Sequence, residues 1–294
     1  MPKLRSSSPG FTCGALGCPT AAIAVAVLVV GAAFPVHADT LSVPGDFASI
    51  QSAVDAAADG DRIEVDDGVY AESVRIERRA GLDLIAVGAA VIDAAGLEVG
   101  VLVRKSSDVR VKGFKILNAN EDGVRVAGSS DVAVARNRID FVGDDCIELD
   151  RTLDETPTRH VRVDGNTLKN CGSHGIEVDA SDVRIEDNRI NRTGSDGIEL
   201  SRGLDQEVLR NTVLRAGDDG IEVQTRKVLL RRNRVSRSRD DGFHLDGNRN
   251  RLVRNISVRS RMCAVNDQGR WNRLVGNRLE DGNTLFCNER NNDD

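Results

Sequence analysis

The sequence predicts an all-β fold, a single-stranded parallel β-helix with coils of about 22 residues and a capping helix at its N-terminal end. Three observations predict it. Asn137, Asn166, Asn188, Asn211, Asn233, Asn255 and Asn277 recur at intervals of 22 or 23 residues, with one interval of 29. A second column keeps the same beat through Asp122-Gly123, Asp145-Cys146, His174-Gly175, Asp196-Gly197, Asp219-Gly220 and Asp241-Gly242. Aromatic residues are 3% of a chain that is 40% hydrophobic, so the core must be built from Val, Ile, Leu and Ala. A period this short is below the 33 or so residues of a helix-pair repeat, and the chain lacks the spaced leucines of a leucine-rich repeat.

Residues 1–38 read as a signal peptide. Lys3 and Arg5 precede an apolar run from Ala21 to Phe34, and Val36-His37-Ala38 supplies small residues for cleavage before Asp39. The run is shorter than the roughly 20 residues needed to cross a bilayer, so no membrane span is expected after cleavage. A secreted, periplasmic or cell-surface location follows. Export leaves four cysteines, Cys146, Cys171, Cys263 and Cys287, an even number suited to an oxidising compartment. The formal charge of −6, which becomes more negative when the leader is lost, argues against nucleic acid as a partner.

Residues 39–288 form the expected solenoid, followed by a polar tail over 289–294. At its start Phe47, Ile50 and Val54 share one helical face and are expected to cover the first coil. Alternating runs such as Val183-Arg184-Ile185 and Ile198-Glu199-Leu200 read as strands with apolar side chains inward. The repeated Asn residues are architecture: Asn tolerates left-handed backbone and can bond its equivalents above and below.

The Asp-Gly corners are ordinary turn chemistry, yet the strand after each one projects a polar side chain. Glu148 and Asp150, Glu177 and Asp179, Glu199, Glu222, then His244 and Asp246 make a wall rich in carboxylates. Carboxylates about 5 Å apart on successive rungs either take up protons or bind cations. Calcium is therefore the expected ion, with Asp144, Asp145, Glu148 and Asp150 as its ligands and Asp218, Asp219 and Glu222 as a second candidate; no organic cofactor is expected. The interval of 29 places an insertion within residues 151–159, expected to overhang this acidic wall.

Gly143-Asp144-Asp145-Cys146 stands before that insertion, Asn120-Glu121-Asp122 one coil earlier and Cys171-Gly172-Ser173-His174-Gly175 one coil later. Residues 41–288 resemble the right-handed parallel β-helix proteins of the pectin-lyase-like superfamily, and the three coils with these motifs resemble the polygalacturonases. The resemblance implies that Asp145 is the general acid, that Asp122 and Asp144 activate water, and that His174 supports them. It also implies a Cys146–Cys171 bridge, with Cys263 and Cys287 forming a second; each joins neighbouring coils. The family's Arg-x-Lys on the following coil corresponds here to Glu199 and Ser201.

The expected activity is on an extracellular polysaccharide, by glycoside hydrolysis with paired Asp carboxylates. A cation-dependent polysaccharide lyase or epimerase, and a non-catalytic carbohydrate-binding or structural exoprotein, are the alternatives.

Overall fold

The computed structural model describes residues 38–280 and 284–287. The expected signal peptide and the polar tail lie outside the described residues. Three strands with sharp corners make up each coil, and successive coils pair in parallel register. The front sheet follows the Asp-Gly corners: Val124–Ala127, Ile147–Asp150, Ile198–Arg202, Ile221–Val223 and Phe243–Leu245 belong to it. The flank sheet comes next, as in Ser130–Ala135 and Thr158–Asp164, and the long strand Ile176–Glu186 runs through both. The back sheet then carries Arg138–Val142, Thr167–Cys171 and Arg189–Thr193.

Alternation decides which side chains meet. Ile147, Ile176, Ile198 and Ile221 stack directly in the front sheet, and Val161, Val183 and their neighbours do so in the flank. All are essentially buried, and Phe114 and Phe243 are the two largest fully buried side chains. At the start, Ser49 caps a helix over Ile50–Ala56; its hydroxyl accepts from the Ser52 amide at 3.2 Å. Ile50 and Val54 are buried, while Phe47 packs against the core from just outside the helix. Among the described residues no helix is long and apolar enough to cross a membrane.

The Asn column forms a buried ladder. From Asn166 onward each Oδ1 accepts the backbone N–H of the preceding coil's Asn, at 2.8 Å for Asn166 and 2.9 Å for Asn188, and that of Asn137 accepts the Phe114 N–H at 3.0 Å. Each Nδ2 donates to a core-strand carbonyl, as Asn188 does to Val163 at 2.9 Å. The left-handed residue is not the Asn but the one before it, with φ of 55° at Arg136, 58° at Asp187 and 56° at Arg210. The kink turns the chain one residue early, which leaves the Asn side chain pointing inward where it can serve two coils.

Both disulfides join neighbouring coils, Cys146 to Cys171 and Cys263 to Cys287. They close loops of 25 and 24 residues, each worth about 3 kcal/mol at most. Replacing Cys146 and Cys171 by Ser should therefore lower Tm by up to about 10 °C. Peptide mapping of the unreduced protein checks the pairing; free thiols or crossed pairs would contradict it.

Candidate functional site

Register places the acidic wall in one line. Arg125, Glu148, Glu177, Glu199, Glu222, His244 and Asn266 occupy equivalent positions on successive front strands. Beside it the corner column holds Asp122, Asp145, His174, Asp196, Asp219 and Asp241. The corner carboxylates are structural as well as chemical, because each caps the next coil. The backbone N–H of Asp145 donates to Asp122 Oδ1 at 3.2 Å, that of His174 to Asp145 Oδ1 at 2.6 Å, and that of Asp241 to Asp219 Oδ1 at 2.7 Å.

His174 replaces an Asp in the corner column and is surrounded by acids. Its Nδ1 lies 3.1 Å from Asp145 Oδ1, and its Nε2 lies 3.0 Å from Glu199 and 3.5 Å from Asp196. Burial alone would lower its pKa, but hydrogen bonds to Asp145, Asp196 and Glu199 outweigh it and push the imidazolium up to about 12. At neutral pH His174 is a fixed cation and not a base.

The carboxyls around it divide into two proton-sharing pairs. Burial and the neighbouring Asp145 push Glu177 up to about 8. Burial also pushes Asp145 upward, but hydrogen bonds from His174 and Glu177 hold it below its usual value. One coil earlier, burial and Asp122 raise Glu148 to about 9, while burial raises Asp122 to about 6. Asp145, the general acid that the resemblance implies, is thus the more acidic member of its pair because it faces the His174 cation, and Glu177 is the member that is raised. Asp144 lies exposed, its pKa raised by burial of its carboxyl and by Asp145.

The expected calcium ligands are not brought together. Arg125 takes Glu148 at 2.9 Å and Asp150 at 3.0 Å, which turns both away from Asp144 and Asp145. The groups whose ligand atoms lie within 4.8 Å of one another are Asp145-His174-Glu177, His174-Asp196-Glu199, Asp219-Asp241-His244 and Asp218-Asp219-Asp240. Three contain a histidine already paired with carboxylates; the last offers only oxygens. It shares Asp218 and Asp219 with the second expected set, with Asp240 in place of Glu222.

Asp219 also has a histidine of its own. His244 Nδ1 lies 2.8 Å from Asp219 Oδ2, and that hydrogen bond pushes His244 up to about 9. The coil period places His244 directly over Glu222, which is what brings it to Asp219. Glu177 and Glu199 were visible only as members of a wall, with no role attached.

The insertion forms a loop over residues 151–157. It leans toward earlier coils rather than over Asp145, because Asp154 reaches Lys105 at 2.7 Å while Arg151 holds Asp179 at 2.8 Å. Beneath it is a cavity of 610 Å³ lined by Arg75, Arg104, Lys105, Arg125, Asp150 and Leu153, among others. The front face therefore runs from a cavity lined by paired cations and carboxylates into the carboxyl and His174 cluster.

Raised pKa values make the site pH-sensitive in a defined direction. Groups with raised values bind protons more tightly in the folded chain, so their stabilisation is present at low pH and lost as pH climbs through the raised value. For Glu177 and Glu148 that loss runs from the ordinary carboxyl range up through about 8 and about 9, and for His174 from its ordinary value toward about 12. Asp145 acts oppositely, losing its contribution on acidification below its ordinary value. Tm should fall by at least about 5 °C between about pH 5.5 and about pH 9. A flat profile over that range would mean the cluster is not formed.

Comparison with known proteins agrees with this architecture. The family profile of the right handed beta helix region matches residues 99–284. The chain belongs to the right-handed β-helix family. No curated protein matches the sequence of this β-helix protein. Among solved structures, an alginate lyase from Paenibacillus sp. str. FPU-7 is similar with a TM-score of 0.66 at 16% identity, over 84% of this chain and 99% of that one. A lacto-N-biosidase from Eubacterium ramulus gives 0.59 at 14% identity, over 83% of this chain and 67% of that one. Pectate lyase Pel9A gives 0.56 at 12% identity, over 84% and 78%. At these identities the likeness of the β-helix protein to each is one of fold.

Proposed function

We propose that this protein is an exported enzyme acting on an extracellular polysaccharide, with residues 39–288 as one solenoid domain and hydrolysis of a glycosidic bond as its reaction. The observation that carries this reading is the cluster in which Asp145, His174 and Glu177 bring ligand atoms within 4.8 Å of one another, where burial and Asp145 push Glu177 up to about 8 while hydrogen bonds from His174 and Glu177 hold Asp145 below its usual value. Glycoside hydrolysis needs one carboxyl of each kind, and opposed environments are how a site supplies both. In this reading Glu177 protonates the leaving oxygen. Asp122 and Asp144 face the water or the reacting carbon, because the two carboxyls that flank a glycosidic bond stand about 5 to 9.5 Å apart and Asp145 is in hydrogen-bond contact with Glu177; Asp145, its charge balanced by His174, orients the acid. Solved structures of the same fold include a lacto-N-biosidase, an alginate lyase and a pectate lyase, which supports a carbohydrate substrate.

Lyase or epimerase chemistry is the second reading, favoured by the cavity beside the carboxyls. Arg75, Arg104, Lys105 and Arg125 there hold carboxylates of the chain, Glu98, Glu77, Asp154 and Glu148 with Asp150, and in this reading they exchange one of these for a sugar carboxylate before its α-proton is removed. Incubation with a panel of neutral and acidic polysaccharides separates the readings. New reducing ends without ultraviolet absorbance mean hydrolysis, absorbance of unsaturated ends means elimination, and no product from any polymer overturns both.

Calcium, if bound, belongs at Asp218, Asp219 and Asp240 rather than at the quartet expected from sequence. Their ligand oxygens lie within 4.8 Å of one another, and a donor set of carboxylate oxygens suits a hard cation. Millimolar calcium should raise Tm relative to chelator, and Asp218→Asn with Asp240→Asn should remove the difference. An unchanged Tm in the parent protein would contradict calcium binding.

A further inference from the structure

The corner between the back and front sheets carries a second ladder, four residues upstream of the corner carboxylates. Phe141, Asn170, Arg192, Arg215, Arg237 and Arg259 occupy equivalent places on successive coils, each with a positive φ between 50° and 66°. That backbone conformation directs every one of these side chains outward, and the four arginines are exposed. Among the described residues none of the four forms an ion pair, whereas Arg210 on the neighbouring corner holds both Glu186 and Asp187. Stacked cations about 4.8 Å apart repel one another, so the ladder lacks a counter-charge of its own.

The surface beside the ladder is shaped to receive a chain. A cavity of 740 Å³ is lined by Arg192, Arg215, Arg237, Arg239, Thr193 and Gly194, with no carboxylate among its lining residues. Two of its lining residues are glycines for a steric reason. A Cβ on Gly194 would run into the Gly172 carbonyl oxygen, and one on Gly217 into that of Gly194. The backbone is therefore bare along the coil axis. At the early end of the line Phe141 is 61% exposed, an aromatic face of the kind that packs against the C–H face of a sugar ring.

We infer that this corner binds an acidic glycan lengthwise, its carboxylate or sulfate groups on Arg192, Arg215, Arg237 and Arg259 and one sugar ring on Phe141. The five steps from Phe141 to Arg259 span about 24 Å, long enough for several sugars. A single glycan chain fits because its charges are spread along one narrow strand. Duplex nucleic acid is broader and more densely charged, and it would meet the repulsion of the acidic column four residues away and of a chain whose formal charge is −6. The surface is separate from the carboxyl site on the front sheet and does not depend on the reaction there.

Affinity electrophoresis of the full chain through gels containing polygalacturonate, dextran sulfate or uncharged dextran tests the inference. Retardation by polygalacturonate, by dextran sulfate or by both is expected, and whichever polymer retards identifies the anionic group; dextran should have no effect. The triple variant Arg192→Gln, Arg215→Gln, Arg237→Gln should lose at least about tenfold in affinity and show a shallower salt dependence. Phe141→Ala should weaken retardation without altering that salt dependence. Arg232→Gln with Arg254→Gln, exposed arginines on the Asn corner, should leave retardation intact, as should Glu177→Gln, which disables only the proposed reaction. Thermal melts establish that each variant is folded. Absence of retardation by both acidic glycans, retardation that survives the triple variant, or a stronger shift with duplex DNA would each overturn the assignment.

Discussion

Glu177→Gln should reduce turnover at least about 100-fold on any polysaccharide that the panel shows to be cleaved, while Tm stays level or rises. Glutamine reproduces the shape of the neutral carboxyl and still donates to Asp145, but it has no proton to give to a leaving oxygen. The mild effect on Tm follows from the same fact, since burial already keeps Glu177 protonated up to about 8. Parent activity should for that reason decline as pH rises through about 8. Asp145→Asn should also cost activity, and unlike Glu177→Gln it should lower Tm, because Asp145 faces His174 at 3.1 Å and caps its amide at 2.6 Å. Asp219→Asn is the comparison: it too accepts a backbone N–H and pairs with a histidine, but on the coil above it His244 stands at the front-strand position that Glu177 holds above Asp145. Equal loss of activity at Asp145 and Asp219 would show that the corner column is architectural and that the proposed acid is misplaced.

Asn188→Ala should be the most damaging single change to the fold, lowering stability by about 3 kcal/mol or more. Asn188 is 1% exposed and serves two coils. Its Oδ1 accepts from the Asn166 backbone and side-chain amides at 2.9 Å and 3.0 Å, and its Nδ2 donates to Val163 and Asn211 at 2.9 Å and 3.0 Å. Alanine strands these buried partners with no water to replace the loss. Tm should drop by about 6 °C or more, and hydrogen exchange at the Asn166 amide should accelerate. A change within 1 °C or so would mean that water enters the corner and satisfies the ladder.

The coil length, the Asn ladder and the capping helix around Ile50 and Val54 were legible from spacing, and the Cys146–Cys171 pair from the resemblance to the polygalacturonases. A period of 22 or 23 residues brings equivalent positions into register whatever the side chains are, and Cys146 reaches Cys171 because they stand in neighbouring coils. The candidate site was only half legible for the same reason. Asp122, Asp145 and His174 fall in one column and Glu148, Glu177 and Glu199 in the next, so the sequence announces two rows of acids. It does not announce which acid keeps a proton. Nor does it reveal that Arg125, one rung earlier, draws Glu148 and Asp150 out of the expected calcium cage.

By itself, then, the sequence determined the repeat, the three-sheet coil and the columns in which charged residues stand. The tertiary structure alone decided that Glu177 rather than Asp145 carries the proton, that His174 is a cation, that the inserted loop leans on Lys105, and that a line of arginines is left without partners. Register follows from counting residues along one chain. Protonation and pairing follow from burial and from side chains that lie within about 4 Å in space but 22 to 49 residues apart in sequence, and electrostatic energy depends on that distance in space.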